Sequence, residues 1–355
     1  MTVLFITRKY PPQVGGMENY SYGLISHLAI RTRLIALKHS QIHLIWFLPY
    51  AFIAGLFLSW RVEVIYLCDG LLSPLGYLLK LLTRKPVCVT VHGLDVTYQN
   101  RLYQKVNVGC LRKLDRVFCV SRSTIEECVK RGIDREKCVY IPNGVQIPSI
   151  PEAYTREQLE KLVRRPLAGK KIILSIGRLV ARKGTAWFIR EVLPLLPDDM
   201  IYLVAGDGPE RQRVEAAVSE KNLSTRVFLL GQVSESEREL LFRTADVFVM
   251  PNQRVPGDME GFGIVAIEAA GRGLPVVVAR LEGLADAISD GENGYLVDSE
   301  NAGAFARKIR ELLSDPGLAG LSERFAAYTK KYYNWKYISH LYLEELKKHF
   351  SNATD

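Results

Sequence analysis

The sequence has no Cys-x-x-Cys pair, and no group of histidines stands beside its six cysteines. Structural zinc sites commonly use such pairs, so we expect no metal ion at the cysteines. Cys68, Cys88 and Cys119 lie in or beside short apolar runs, where a free cysteine behaves as a small apolar residue. This use of cysteine is typical of a reducing cytosol.

Other absences narrow the class of protein further. Glycine (27) and proline (16) are not enriched, and 48% of the residues are hydrophobic, which excludes collagen-like and intrinsically disordered chains. Residues 2–6 form an apolar run that is too short for a signal peptide, and no basic segment precedes it. We therefore expect a cytoplasmic protein whose 355 residues form two domains, each with its own core.

Acidic residues are scarce in the first part of the chain. Residues 1–150 contain 19 Lys and Arg against 9 Asp and Glu, whereas residues 151–355 contain 28 and 29. This imbalance predicts an anionic partner for the first part, which would be nucleic acid, a phosphorylated acceptor or a membrane surface. No RNP-like, helix-turn-helix or zinc motif supports nucleic acid.

One uncharged apolar segment, residues 42–60, has the minimum length of a transmembrane helix. His43, the central Pro49 and the strand pattern that follows directly argue against a membrane span. A helix that is apolar on all sides can also be buried in an α/β domain. We expect a core helix or a helix on a membrane surface.

Short apolar runs alternate with longer helical patterns, which indicates βαβ units and parallel sheets. Strands are predicted at residues 3–7, 34–37, 64–67, 87–91, 117–120 and 139–141, and again at 172–176, 201–205, 227–230, 247–250, 275–278 and 295–297. Residues 142–171, with four prolines, predict a linker with one short helix, and residues 322–350 a closing helix. The fold class is α/β, with two Rossmann-like domains that bind a ligand in the cleft at the carboxyl ends of their strands.

Two loops after predicted strands are suited to phosphate. The first strand leads into the adjacent glycines Gly15 and Gly16, directly before a helix whose first N–H groups can bind an anion. The strand at 172–176 leads into a loop with Arg178 and Lys183, and both side chains suit phosphate oxygens. A plain strand-to-helix turn and a solvated basic loop are the structural alternatives.

A third loop carries two glutamates. The strand at 247–250 is followed by Glu260-Gly-Phe-Gly-Ile-Val-Ala-Ile-Glu268, in which the glycines predict a tight turn at the head of a helix. Glu268 stands in an apolar stretch, so its burial is costly without a polar partner. A pair of sugar or ribose hydroxyls would be such a partner, and a position at the helix edge, open to solvent, is the alternative.

With seven residues between them, Glu260 and Glu268 resemble the Glu-x7-Glu motif of the retaining glycosyltransferases of family 4. Further motifs of that family follow in order over nearly the whole chain. They are Gly15-Gly16-x-Glu18, His92-Gly-Leu-Asp95, Ser121-Arg122, the IPNGV run at 141–145, Gly177-Arg-Leu with Lys183-Gly184, Ala205-Gly-Asp-Gly-Pro209 and Gly291-Glu-Asn-Gly294. The resemblance implies the GT-B fold, with an acceptor-side domain (1–165), a nucleotide-sugar domain (166–332) and a C-terminal helix (333–355) that returns to the first domain.

The resemblance also implies roles for individual residues. Arg178 and Lys183 would hold the donor diphosphate, Glu268 the ribose hydroxyls and Glu260 the hydroxyls of the transferred sugar. The implied donor-binding set is Gly15, Gly16, Arg178, Lys183, Val233, Glu260, Gly261, Phe262, Gly263, Ile264, Val265 and Glu268. The implied catalytic set is His92, Glu260, Arg178 and Lys183, and the acceptor-side candidates are Tyr10, His92 and Asp95. For Asp95, orientation of the His92 loop is an alternative to a direct role.

The implied reaction is transfer of a hexose, with retention, from a UDP- or GDP-linked sugar to a glycan or lipid-linked acceptor in the synthesis of cell-envelope polysaccharide or glycolipid. No metal or cofactor is implied, because cations and N–H dipoles can stabilise the leaving phosphate. We expect a cytoplasmic enzyme that can sit peripherally on the inner face of the cell membrane and binds no nucleic acid. The alternatives are a nucleotide-sugar 2-epimerase of GT-B fold and a two-lobed solute-binding protein.

Overall fold

The computed structural model describes residues 1–13, 15–148 and 153–350, and this part of the chain forms two compact units. The first unit comprises residues 1–146, 257–262 and the chain from Tyr333, and the second comprises residues 147–256 and 263–332. The division between the units thus lies near residue 146 instead of 165. The short segment 257–262, which the sequence places in the second domain, groups with the first.

Each unit contains one six-stranded sheet, and every pair of neighbouring strands is parallel. The strands of the first sheet are β1 (Thr2–Thr7), β2 (Arg31–Ala36), β3 (Val64–Leu67), β4 (Val87–Val91), β5 (Arg116–Cys119) and β6 (Cys138–Tyr140). Those of the second are β7 (Lys171–Ile176), β8 (Met200–Ala205), β9 (Val227–Gly231), β10 (Val247–Met250), β11 (Val276–Ala279) and β12 (Tyr295–Val297). All twelve predicted strands are confirmed.

The helices connect these strands. In the first unit they are α1 (Gly16–His27), α2 (Leu44–Ser59), α3 (Ser73–Thr83), α4 (Leu94–Thr97), α5 (Arg101–Tyr103), α6 (Gly109–Leu111) and α7 (Arg122–Lys130), with a π-helical segment, Gln104–Val108, between α5 and α6. In the second they are α8 (Arg156–Val163), α9 (Thr185–Trp187), α10 (Arg211–Glu220), α11 (Glu235–Thr244), α12 (Ile264–Gly271), α13 (Leu284–Ala287), α14 (Ala302–Ser314) and α15 (Leu318–Tyr332). The last helix, α16 (Trp335–Phe350), belongs to the first unit.

The order of the strands reverses once in each sheet. The first sheet runs β2-β1-β3-β4-β5-β6, so the chain changes direction between β1 and β3. The second runs β12-β11-β10-β7-β8-β9, so the change lies between β7 and β10. In parallel α/β sheets, ligands bind at such points, outside the carboxyl ends of the strands. Each unit therefore has one expected ligand position.

Two apolar clusters cover the two faces of the first sheet. One cluster joins β-strand residues to the inner sides of α2 and α3, and the other joins them to α1 and α16. On the second face, the hydroxyl groups of Tyr20, Tyr66 and Tyr342 form a buried network with Thr90 Oγ1, which lies 2.6 Å from the Tyr20 oxygen. This network and the apolar contacts of Trp335 fix α16 to the first unit.

Two expectations about helices need correction. The predicted closing helix 322–350 is in fact two helices, because the backbone of Tyr333 and Asn334 pairs with Val145 instead of continuing the helix. The Asn334 side chain then caps α16 by accepting the N–H of Tyr337 at 2.9 Å. In the predicted linker, α8 forms as expected, whereas residues 149–152 lie outside the described part of the chain.

The apolar segment 42–60 forms α2 and the turn before it. Together they span Gln41–Ser59, which is 19 residues with a mean hydropathy of 1.8, long and apolar enough to cross a membrane by length and composition. Yet Phe47, Ala51, Gly55 and Ser59, which recur every four residues, are buried against the first sheet and α3. One side of the helix is therefore a core element of the first unit.

Candidate active site

In the first unit, the predicted site residues follow the carboxyl ends of neighbouring strands. Arg8 and Tyr10 come after β1, Asp69 after β3 and His92 after β4. Because these strands are adjacent and parallel, their carboxyl ends meet at one edge of the sheet. That edge includes the β1/β3 reversal, so the residues lie where a ligand is expected.

His92 is held by contacts on several sides. Its Nε2 lies 3.0 Å from the carbonyl oxygen of Cys68, and its ring packs edge-on against Tyr20 at 4.8 Å. The hydrogen bond to a carbonyl requires a proton on Nε2, so Nδ1 is the acceptor nitrogen in the neutral ring. The side chain is half-buried and has one defined orientation at the sheet edge.

Asp95 orients this loop. Its Oδ2 accepts the backbone N–H of His92 at 3.2 Å and that of Gly70 at 2.9 Å. One carboxylate oxygen thereby ties the loop after β4 to the loop after β3. Of the two roles considered for Asp95, the described contacts support that of positioning the His92 loop.

A buried ion pair at the same edge was not expected from the sequence. The Arg8 Nε donates to Asp69 Oδ1 at 3.1 Å, and Gln41 accepts from the same guanidinium at 3.0 Å. Asp69 is fully buried, and burial raises the pKa of its carboxyl although Arg8 opposes that effect. Its Oδ2 has no hydrogen-bond partner among the residues that the structure describes. An aspartate after β3 carries no motif, so only the fold places it beside Arg8.

The Gly15-Gly16 loop leads directly into α1, which begins at Gly16. Just inside the helix, the buried carboxylate of Glu18 pairs with Lys9 Nζ at 3.0 Å. A Cβ atom at position 15 would lie 2.4 Å from a Glu18 oxygen, so glycine is needed for this approach. Tyr10 packs edge-on against Tyr22 at 6.0 Å, and burial raises its pKa.

Glu260 is grouped with His92 in the first unit. The loop that carries it approaches the turn after β4 so closely that a Cβ atom at Gly261 would lie 2.1 Å from the carbonyl oxygen of His92. Gly93, with φ of +93°, has its own Cβ position 3.1 Å from the Gly261 Cα. Backbone contact between two glycine turns thus brings the predicted pair His92 and Glu260 together, and Glu260 is buried there.

In the second unit, Arg178 and Lys183 lie in the loop directly after β7. The loop is shaped by glycines, because a Cβ atom at Gly206 would lie 2.0 Å from the Gly177 carbonyl and one at Gly184 would lie 2.0 Å from that of Pro251. Arg178 is exposed and Lys183 is half-buried. Both cations therefore follow one strand of the β7/β10 reversal.

The other strand of that reversal, β10, leads to the amino-terminus of α12. Gly263 caps the helix with φ of +86°, and a Cβ atom there would lie 2.4 Å from Leu284. The first N–H groups of a helix have no partner within it and carry partial positive charge. Those of Ile264 and Val265, both half-buried, are suited to an anion, as expected.

Glu268 has a protein partner that the sequence did not reveal. Its buried carboxylate forms an ion pair with the guanidinium of Arg238 on α11, and Arg272 donates to its backbone carbonyl at 2.9 Å. Burial still raises the pKa of Glu268, and the two arginines oppose this effect. The expectation that only ligand hydroxyls would satisfy the buried carboxylate is therefore corrected. Val233 is half-buried in the loop between β9 and α11.

The structure brings together three cysteines that the sequence kept apart. The Sγ atoms of Cys119, Cys128 and Cys138 lie within 4.8 Å of one another, from β5, α7 and β6 respectively. Hydrogen bonds from the other two thiols lower the pKa of Cys138. Three converging thiols are a donor set for a soft metal ion. The spacing of the cysteines, which predicts no metal, did not reveal this cluster.

Comparison with known proteins agrees with this arrangement. The model of the family "Glycosyltransferase Family 4" matches residues 3–147, and that of "Glycosyl transferases group 1" matches residues 159–332. The GDP-mannose-dependent alpha-(1-6)-phosphatidylinositol monomannoside mannosyltransferase of Mycolicibacterium smegmatis is 26% identical over 353 residues, 88% of this chain and 90% of the relative. An uncharacterized glycosyltransferase of Methanocaldococcus jannaschii is 30% identical over 72% of this chain and 67% of its own length.

Solved structures show the same fold. HepE of Anabaena in complex with UDP has a TM-score of 0.78 at 19% identity, over 98% of this chain and 100% of that one. Sucrose-phosphate synthase from Thermosynechococcus elongatus has a TM-score of 0.78 at 21% identity, over 99% of this chain and 100% of that one. Two matched family models, relatives along most of the chain and two parallel six-stranded sheets lead to one conclusion: the chain is a member of glycosyltransferase family 4 and has the GT-B fold.

Proposed function

We propose that this glycosyltransferase moves a hexose from a UDP- or GDP-linked sugar to a glycan or lipid-linked acceptor, with retention at the anomeric carbon and without a metal ion. One observation carries the proposal. At the β7/β10 reversal of the second unit, two cations, the amino-terminus of α12 and a buried carboxylate follow neighbouring strands. These groups match the parts of a nucleoside diphosphate: the diphosphate and the ribose.

The donor groups divide the nucleotide sugar between them. Arg178, Lys183 and the N–H groups of Ile264 and Val265 bind the diphosphate, and Glu268 accepts the ribose hydroxyls while it remains paired with Arg238. Val233 borders the base. In the first unit, Glu260 accepts hydroxyls of the transferred sugar, with Gly261, Phe262 and Gly263 continuing the donor-binding loop, and Gly15 and Gly16 approach the phosphates.

The chemistry follows from where charge develops. The bond between the anomeric carbon and the β-phosphate oxygen breaks, a bond to the acceptor oxygen forms on the same face, and the acceptor hydroxyl gives up its proton. Negative charge grows on the leaving phosphate, and fixed cations and N–H dipoles stabilise it. Arg178, Lys183 and the α12 terminus can do this, so no metal is needed. His92 orients the reacting groups, and Tyr10, His92 and Asp95 form the acceptor side.

Relatives support the class of donor and acceptor. The mycolicibacterial relative is named for GDP-mannose and a phosphatidylinositol mannoside, and a relative from Rhizobium meliloti, 35% identical over 158 residues, is named for lipopolysaccharide core biosynthesis. The name of the HepE structure includes UDP. We therefore propose a role in cell-envelope glycan or glycolipid synthesis, in the cytoplasm and on the inner face of the membrane.

A donor panel tests this function. Thermal shifts with UDP, GDP and their hexose conjugates identify the nucleotide, because a ligand that binds the folded state raises its stability. The transfer product is then analysed by NMR for its anomeric configuration, with and without EDTA. We expect an α-linked product from an α-linked donor and full activity in EDTA. Inversion, or loss of activity that magnesium restores, would contradict the mechanism.

The same panel separates the alternatives. A 2-epimerase would convert the nucleotide sugar into its epimer without an acceptor and return no sugar to solution. A solute-binding protein would bind a ligand and release no nucleoside diphosphate. Acceptor-dependent release of nucleoside diphosphate is the outcome that only the transferase gives.

A further inference from the structure

The outer side of α2 is apolar and exposed. Its large side chains Ile45, Trp46, Tyr50, Ile53 and Phe57, with Trp60 just after the helix, all face solvent. The exposed fraction is 75% for Trp46, 74% for Phe57 and 89% for Trp60. Soluble monomers rarely expose a contiguous apolar patch of this extent, and such patches mark interaction surfaces.

The next helix extends this surface. Leu78, Leu81 and Leu82 of α3 are also exposed, with exposed fractions of 49%, 57% and 63%. Because α2 and α3 pack against each other on the same face of the first sheet, their outer sides form one surface. We call these exposed apolar residues of the two helices the α2–α3 outer face.

The opposite side of α2 cannot leave the protein. Gly55 packs so closely that a Cβ atom there would lie 3.1 Å from Leu79 and 3.8 Å from Ile6. Phe47 and Ala51 belong to the same buried stripe and cover the β-strands. A membrane span would have to strip this stripe from the sheet and expose the core beneath it. The helix is thus suited to lie along an apolar surface and not to cross it.

Cations border the outer face at the end of α2. Arg31 and Arg33 on the edge strand β2, together with Arg61, line a cavity of about 410 Å³ with Thr2 and Thr32. The nearby Glu63 carboxylate accepts the N–H of Thr2. Three exposed guanidinium groups around one cavity match the geometry of phosphate oxygens.

We infer that the first unit docks on an anionic phospholipid bilayer, with the α2–α3 outer face in the interfacial layer and a lipid phosphate in the cavity of Arg31, Arg33 and Arg61. Trp, Tyr and leucine side chains enter the interface favourably, and neighbouring arginines supply the attraction to anionic headgroups. The charge of the first part of the chain, 19 basic against 9 acidic residues in 1–150, has the same sign.

Such docking would serve the proposed function, on which this part of the inference rests. The helix runs from the carboxyl edge of the sheet, where Gln41 binds Arg8, to the amino edge, where Arg61 lies beside Arg31. One end of the outer face is therefore next to the acceptor-side residues. An acceptor anchored in the bilayer would reach them with its head group while its lipid stays in the membrane.

Vesicle binding by the full chain tests the inference. The probe is phosphatidylcholine vesicles with and without phosphatidylglycerol, used in flotation at low and high salt. We expect binding only to the anionic vesicles, weakened by salt, and a blue shift of tryptophan fluorescence as Trp46 and Trp60 enter the interface. Brominated lipids should quench that fluorescence. No binding at low salt would overturn the inference.

Two sets of variants locate the surface. Trp46→Glu with Phe57→Glu should abolish flotation, whereas Leu195→Glu, which changes a 48% exposed leucine of the second unit, should not. Replacing Arg31, Arg33 and Arg61 by Gln should weaken binding to anionic vesicles about 100-fold, at about fivefold for each cation. The matched control replaces Arg213, Arg307 and Arg310 of the second unit and loses the same charge. Equal weakening by both triple variants would overturn the arginine cavity.

Other occupants give distinct results. A dimer in solution that Trp46→Glu dissociates would show that a second copy covers the face, and binding that withstands alkaline carbonate would show a span; either would overturn the docking. Calorimetry with UDP and GDP on the same variants separates this inference from the proposed function. Lost flotation with intact nucleotide binding confirms the docking surface, whereas intact flotation without nucleotide binding by the wild type contradicts only the donor assignment.

Discussion

Glu268 and Arg238 form the part of the candidate site where two needs meet in one side chain. The carboxylate is buried on α12 and its charge is balanced by Arg238, which is also largely buried. A ribose that binds there must share the carboxylate with this arginine. The pair therefore keeps the charged acceptor ready before the nucleotide arrives, at the cost of desolvation that burial imposes.

The two glutamates of the motif should differ in what they bind. We expect Glu268→Gln to weaken binding of the bare nucleoside diphosphate about 10- to 100-fold, because charged hydrogen bonds contribute about 1.5–3 kcal/mol. Glu260→Gln should leave that affinity close to wild type while turnover falls, since Glu260 contacts only the sugar. Calorimetry and a turnover assay measure the two effects.

Glu235→Gln is the matched control for this pair, because Glu235 is an exposed partner of the same Arg238. It should change neither quantity. Equal loss of nucleotide affinity in both motif variants would show that the division of the donor is wrong.

Arg178 should bind the diphosphate through charge-assisted hydrogen bonds. Arg178→Ala should lower nucleoside diphosphate affinity by about one to two decades at unchanged thermal stability of the free protein, because the side chain is exposed. Arg190→Ala, which removes an arginine paired with Glu220 at 2.7 Å, is the control and should leave affinity unchanged. Unaltered affinity of the Arg178 variant in calorimetry would remove this residue from the site.

The sequence predicted the site residues that sit in motifs and missed those that depend on packing. His92 and Glu260 were predicted separately, and the close approach of Gly261 to the His92 carbonyl joins them. Asp69 and Arg238 have no motif, because each becomes relevant only through a partner distant in sequence. A buried glutamate in an apolar run does call for a cation, but the run itself does not say which of the many arginines supplies it.

At the scale of elements, α1 and α16 meet through one glycine. A Cβ atom at Gly23 would lie 2.0 Å from the indole of Trp335. Gly23→Ala should therefore destabilise the first unit by about 1–3 kcal/mol, because the buried indole must shift. Chemical denaturation measures the change.

Gly109→Ala is the control, since no atom lies within 4 Å of the Cβ position there and alanine favours a helix. It should be neutral or stabilising. If both variants lose the same stability, the contact with Trp335 is not what holds α16 in place.

Strand positions were predictable because buried parallel strands are continuous apolar runs. The exception in detail is β2, which begins at Arg31, three residues before the predicted start. As an edge strand it exposes Arg31 and Arg33, so its first half lacks the apolar signal. The break between α15 and α16 was likewise missed, because residues 333–334 continue a helical pattern and only the pairing with Val145 interrupts it.

For the whole molecule, alkaline pH should distinguish the two units. Burial raises the pKa of Cys68 from its ordinary 9.0 to about 12, and it also raises the pKa values of Tyr20, Tyr66 and Tyr342, all in the first unit. The unfolded chain loses these protons at lower pH than the folded one. Their contribution to stability is thus complete below about pH 9 and is lost as the pH rises towards 12.

Calorimetry between neutral pH and pH 11 tests this expectation. The transition of the first unit, identified as the one that Gly23→Ala lowers, should fall more steeply with pH than that of the second, where Tyr202 is a buried group of the same kind. Tyr342→Phe should reduce the slope. Parallel decline of both transitions would contradict the assignment.

The two sides of α2 impose different rules on amino-acid substitution. At Ala51, Gly55 and Ser59 the neighbouring sheet and α3 limit the volume of the side chain, so drift should stay among small residues of either polarity. At Trp46, Ile53 and Phe57 no neighbour limits the volume, so any large apolar residue serves and shape is free to vary. A library of variants sorted for stability alone would recover the first rule and be blind to the second, and that mismatch would reveal a face shaped by something other than folding.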